Sequence, residues 1–104
     1  MYKIGQLIKI ARNNRGMGQD ELATKLKVTK NYISLVENER KDPSINFLKK
    51  TADLLDIPLL LLMWEKIDLP TAKNSTEKEI KKSLEQLAEK AQKLFAEKTF
   101  KHYK

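Results

Sequence analysis

Apolar side chains at Ile4, Leu7, Ile8 and Ala11 recur at i, i+3, i+4 and i+7, and that stripe predicts an amphipathic helix from about Tyr2 to Asn14. Arg15-Gly16 ends it. Gln19-Asp20-Glu21 places acidic residues in a first turn, where the helix dipole favours them. Leu22, Ala23 and Leu26 then form the buried face of a short second helix ending near Lys27. Two or three residues later Thr29 is an N-cap for a third helix, Lys30 to Asn38, with Ile33 and Val36 facing inward. Two helices this short, joined by so tight a turn, must cross steeply. Asp42-Pro43-Ser44 reads as a turn and cap for a fourth helix, with Ile45, Leu48, Ala52 and Leu55 at core spacing. Pro58 restarts the chain into a fifth, Leu59 to Glu65.

The fifth helix is apolar all round through Leu59, Leu60, Leu61, Leu62, Met63 and Trp64, more than covering one core face requires. Asp68 to Asn74 is polar, contains a proline and reads as a connection. Beyond it, Thr76 and Glu79 have capping-box spacing and open a helix running to about Phe100. Within it Ile80, Leu84, Leu87, Ala91 and Leu94 follow a 4,3,4,3 spacing, a heptad seam of about two repeats. The expected fold class is all-α: a five-helix domain over residues 1–70, a linker over 71–75, and a long C-terminal amphipathic helix over 76–104.

Composition sharpens this. The 104 residues carry only three glycines and three prolines, and strand signals are nearly absent. The formal charge of +7 is unevenly spread: +5 over residues 1–41, −2 over 42–70 and +4 over 71–104. A basic surplus in the first segment and the tail fits a polyanionic partner. Without cysteine there is no disulfide, thiol nucleophile or thiolate metal site. The first residues lack a secretory-signal pattern, and the longest apolar run, Ile57 to Trp64, is too short to span a bilayer, so the cytoplasm is the expected compartment.

The stretch Gly18 to Asn38 has the dimensions of a DNA-reading helix-turn-helix. An α-helix fits the major groove. At the exposed start of the third helix Lys30, Asn31 and Ser34 offer donors and acceptors to base edges, lysine to guanine and asparagine to adenine.

From Arg12 to Leu62 the chain resembles the phage-repressor type of helix-turn-helix, the Xre or Cro-like, lambda-repressor-like family. The resemblance is carried by Arg15-Gly16, Gln19-Asp20-Glu21-Leu22-Ala23, Val28-Thr29, Tyr32-Ile33-Ser34, Val36-Glu37-Asn38, Pro43-Ser44, Leu48, and Ala52 to Ile57. It implies base contacts from Lys30, Asn31, Ser34 and Leu35, and phosphate contacts from Gln19, Thr29, Tyr32, Asn38, Arg40 and Lys41. It also implies a structural ion pair between Arg12 and Glu37. Three positions depart from the family pattern. Gly18 stands where a capping Thr or Ser is usual. Lys27 occupies a turn position that usually holds glycine, so either a left-handed backbone is tolerated or the turn differs. Leu35 can meet a thymine methyl but cannot hydrogen-bond.

Simpler roles stand beside these. Lys30, Arg40 and Lys41 taken singly read equally as solvated charges, Asn31 as a helix-start residue, and Tyr32 as packing. The apolar fifth helix and the seam read as a dimer interface of Leu60, Leu61, Met63, Trp64, Ile80, Leu84, Leu87, Ala91 and Leu94, or as packing of the tail on its own domain. Lys98, Phe100, Lys101, His102, Tyr103 and Lys104, with Phe95, form a basic-aromatic end that frays or adds a nucleic-acid contact. A membrane-surface role fits poorly, because the apolar face is narrow and flanked by five glutamates.

Catalysis has no foothold: His102 is the sole histidine, and Gly16-Met17-Gly18 lacks both a preceding strand and the third glycine of a dinucleotide loop. No cofactor or metal is expected. The carboxylates Asp20-Glu21 and Glu37-Glu39 read as solvated structure. The expected function is a homodimeric, sequence-specific regulator of transcription, a repressor on a palindromic operator, encoded by a bacterium or phage. Two alternatives remain: an antitoxin that also autoregulates its operon, and a protein-interaction module using the fifth helix and tail. A toxin or an anti-repressor would then be the protein partner.

Overall fold

The computed structural model describes residues 2–102, with side chains through residue 97. The described residues form α1 (Ile4–Asn14), α2 (Gln19–Leu26), α3 (Lys30–Glu37), α4 (Ile45–Leu55), α5 (Leu59–Met63), a 3₁₀ turn (Trp64–Lys66) and α6 (Ser75–His102). The fold is all-helical, as the periodicities predict. Side chains of Lys98, Phe100, Lys101 and His102, and all of Tyr103 and Lys104, lie outside the described residues, and the basic-aromatic end with them.

The core gathers the predicted stripes. Ile4, Leu7, Ile8 and Ala11 of α1 meet Leu22, Ala23 and Leu26 of α2, Ile33 and Val36 of α3, Leu48, Ala52 and Leu55 of α4, and Leu62 of α5. Ile45 departs from expectation: at the first turn of α4 it is exposed, and Phe47 is buried in its place. The Ser44 hydroxyl accepts the Phe47 N–H at 3.1 Å and so fixes where the helical phase begins.

The first four helices, α1 to α4, all end in the same way. A residue in the left-handed region turns the chain, and the next N–H reaches back five residues to a carbonyl, the Schellman arrangement. The left-handed residues are Gly16, Lys27, Glu39 and Asp56. The closing bonds are Met17 N–H to Arg12 O, Val28 to Ala23, Arg40 to Leu35 and Ile57 to Ala52, at 2.8–3.1 Å. Lys27 thus adopts the left-handed backbone (φ 58°) that the missing glycine put in question. Met17, Val28 and Ile57 then lay their side chains on the core, the apolar contact that normally accompanies this motif. Arg40 does not: it is exposed.

The start of α1 is held from three distant places. A helix leaves its first N–H groups without internal partners, and α1 has no acidic residue in its own first turn. Lys3 N–H is accepted locally by Gln6 Oε1 at 2.8 Å. Ile4 N–H goes to Glu65 Oε1 at 3.2 Å, Gly5 N–H to Glu39 Oε1 at 2.7 Å, and Tyr2 N–H to Gln92 Oε1 at 3.2 Å. The positive end of the helix dipole therefore draws two carboxylates from elsewhere in the chain.

α6 begins two residues from its expected cap. Asn74, rather than Thr76, accepts the Glu77 N–H (2.9 Å) and receives Glu77 in return, its Nδ2 donating to Glu77 Oε2 at 2.9 Å. The helix folds back along α1 and touches α5. It docks through Ala88, Gln92 and Ala96, all buried, with Phe95 packed against the core. Gln92, 1% exposed, bridges the two surfaces it meets, accepting from Tyr2 N–H and donating Nε2–H to Leu61 O at 3.0 Å.

Candidate nucleic-acid interface

α2 and α3 meet across the turn at Lys27-Val28-Thr29, and local chemistry sets where α3 starts. Thr29 is in extended backbone, and its hydroxyl accepts the Tyr32 N–H at 3.0 Å. That leaves Lys30 and Asn31 exposed at the helix start. Gly18, at the corresponding position of α2, supplies no side-chain cap, so the helix relies on Asp20 and Glu21 in its first turn.

Beneath the face lies a buried polar network. Arg12 Nε and Nη2 donate to the two oxygens of Glu37 at 2.7 and 2.9 Å, and Nη1 donates to Met17 O at 2.7 Å. Gln19 Nε2 adds a third bond to Glu37, at 3.0 Å. Both ions are buried, so the bidentate fork with its extra hydrogen bonds offsets the desolvation that an isolated charge would suffer. Glu37 is therefore a partner of Arg12 and not the solvated carboxylate that pairing it with Glu39 implied. The same network fixes the orientation of the Gln19 amide, one of the expected phosphate ligands.

The other expected contacts fall on one side of α3 and on the turn that follows it. Lys30 Nζ lies 3.5 Å from Asp20 Oδ1, both ends well exposed, a pair worth little in water and easily exchanged for a phosphate or base. Ser34 and Leu35 are half-buried. Asn38 is exposed and folds back, its Nδ2 donating to Ser34 O at 2.8 Å. Arg40 and Lys41 are exposed, and with Ser34, Leu35 and Asn38 the arginine lines an open polar hollow. Tyr32 stands edge-on to Phe47 with ring centroids 5.2 Å apart, a packing contact.

The expected interface residues separate. Leu61 is buried in its own chain, while Met63 and Trp64 are half-buried. Leu60, Ile80, Leu84, Leu87 and Leu94 are exposed, three of them by more than 60%, and Ala91 lies at the margin. Among the described residues no group of His, Cys, Asp and Glu could hold a metal ion, and no helix is long and apolar enough to cross a membrane.

A tight two-helix unit with exposed polar residues at the start of its second helix, braced from below by a buried ion pair, defines the class: a helix-turn-helix domain. More particularly, residues 8–62 match the helix-turn-helix family HTH_3, and the chain belongs to that family. It is 44% identical over 64 residues to the HTH-type transcriptional regulator SinR of Bacillus subtilis, covering 61% of this chain and 58% of that protein. It is 30% identical over 88 residues to the immunity repressor protein of Bacillus phage phi105, covering 81% and 61%. The chain thus spans about three fifths of the length of these relatives. A chain from a solved complex of SinR and SinI proteins superposes with a TM-score of 0.55 at 27% identity, covering 97% of this chain and 99% of that one.

Proposed function

We propose that this chain is a repressor that binds double-stranded DNA in a sequence-specific manner, acting in the cytoplasm as a homodimer on a palindromic operator. The observation that carries the reading is the exposed start of α3, where Lys30 and Asn31 stand clear of the surface while the turn holding Arg40 and Lys41 lies at the other end of the same helix. Lys30 and Asn31 read base edges, with Ser34 and the Leu35 side chain beside them. Gln19, Thr29, Asn38, Arg40 and Lys41 hold the flanking phosphates, with Tyr32 contributing at most its hydroxyl. The exposed stripe Ile80, Leu84, Leu87 and Leu94 supports the dimer, because an apolar row of this length is normally covered. Leu60 extends the exposed apolar surface on α5. Two copies then present two recognition helices to successive major grooves. Likeness to the transcriptional regulator SinR supports regulation of transcription, and likeness to a phage immunity repressor supports repression as the outcome.

The test is selection of bound sequences from a random duplex pool, with the winners retitrated against salt. A dimeric reader recovers a palindrome, and its affinity collapses to the non-specific level in the Lys30→Ala, Asn31→Ala double variant. Equal, salt-driven binding to every sequence means charge alone is at work. Loss of nothing on that substitution turns attention to a protein partner for α5 and α6, the reading that likeness to a chain solved with SinI favours.

A further inference from the structure

Glu39 sits at a place where two costs meet. It is a non-glycine residue with φ 61°, a backbone region that L side chains rarely adopt. It is also an acidic residue between Asn38 and Arg40-Lys41, in the turn read above as gripping phosphates, where a negative charge opposes binding. The other left-handed ends are each fixed by an apolar side chain that follows and packs on the core. Here the following residue is Arg40, which is exposed. In place of that apolar contact, beside the backbone bond from Arg40 N–H to Leu35 O, this turn has the Glu39 side chain, which accepts from Gly5 N–H at the start of α1 at 2.7 Å. The carboxylate is thereby drawn to the positive end of a helix.

Gly5 completes the fit. A Cβ on it would collide with Glu39 Oε1 and with the carbonyl oxygens of Val36 and Glu37, so only glycine lets the end of α3 approach this closely. On the far side of the turn Lys66 Nζ meets Asp42 Oδ1 at 2.6 Å. The segment carrying Arg40 and Lys41 is therefore fastened on both flanks.

We infer that Glu39 is a positioning residue for DNA binding: its carboxylate, latched to the Gly5 amide, holds the left-handed turn that aims Arg40 and Lys41 at the DNA backbone. This rests on the reading of that turn as a phosphate clamp. The latch makes an unusual demand on sign, since removing an acidic side chain from a DNA-binding face ordinarily tightens binding, whereas truncating this one, and with it the acceptor for Gly5 N–H, should weaken it.

The experiment titrates a labelled duplex, recovered by selection from the random pool, with the full chain between about 50 and 200 mM salt, where the slope of log affinity against log salt counts neutralised phosphates at about 0.9 each. Three variants separate the outcomes. Glu39→Gly relieves the backbone cost and keeps the fold, but removes the latch; affinity should fall about 3- to 10-fold and the slope by about 0.9 to 1.8. Glu39→Gln keeps an acceptor for Gly5 N–H without the charge and should bind at least as tightly as the natural protein. Arg40→Ala with Lys41→Ala reports on the clamp itself, and its slope should fall by about 1.8. If that double variant keeps the natural slope, the clamp reading fails and the latch with it. If it lowers the slope while Glu39→Gly binds as tightly as the natural chain or tighter, the clamp stands and the latch is overturned. A Glu39→Gln variant as weak as Glu39→Gly also overturns it, because charge rather than the hydrogen bond would then be responsible.

Discussion

At the scale of single residues, the best-determined feature is the buried fork of Arg12 on Glu37. Truncating one partner strands the other charge in a dry site, so Glu37→Ala should destabilise the fold by about 3–5 kcal/mol. For a chain of this size that lowers the melting temperature by on the order of 10–20 °C or more. Replacing both Arg12 and Glu37 by methionine should cost clearly less than the sum of the two single losses, because neither ion is then left alone. Additive losses in a denaturation double-mutant cycle would mean that the pair is not coupled. Lys27 offers the opposite sign: Lys27→Gly relieves a left-handed backbone and should stabilise by about 0.5–1 kcal/mol, and a urea midpoint that fails to rise would count against that strain. Both sites were legible in the sequence, the first from family resemblance and the second from a missing glycine. Glu39 was not, since its role depends on an amide 34 residues away that no local pattern marks.

At the scale of elements, hydrophobic period located α1 to α4 and α6, while Pro58 marked α5, which ends at Met63 and passes into the 3₁₀ turn instead of running to Glu65. Ile45 has core spacing yet lies in the exposed first turn, because the Ser44 cap sets the helical phase so that Phe47 and Leu48 point inward. The C-terminal helix was the hardest to read. Its seam is a true apolar stripe, but the face that docks on α1 lies about 100° further round the helix and consists of Ala88, Gln92 and Ala96, with Phe95 at its edge. Two alanines and a glutamine carry little hydrophobic signal; they suit a close approach between helices, and the glutamine reaches backbone groups on both of its neighbours. One face of α6 is thus committed to its own domain while the heptad stripe stays open. Leu87→Glu with Leu94→Glu should therefore yield a folded, helical monomer in sedimentation at micromolar concentration, with a thermal melt that no longer depends on protein concentration. A variant that still sediments as a dimer would place the interface elsewhere, with α5 and Leu60 the next region to substitute.

At the scale of the whole molecule, the start of α1 is where the parts are joined. Gln92 of α6, Glu65 of the 3₁₀ turn and Glu39 of the turn after the recognition helix all terminate on backbone amides within four residues of one another. The turn proposed to face DNA and the helix proposed to dimerise are consequently tied to one end of the same helix, and two copies joined through α6 would hold their α3 helices at a fixed separation. That geometry is the central claim, and its most direct test is a footprint on the selected duplex combined with methylation interference. The expected result is two protected patches on one face of the DNA, centred about 10 base pairs apart, with interference from methyl groups on guanine N7 in the major groove. A single unpaired patch, or interference confined to the minor groove, would contradict it.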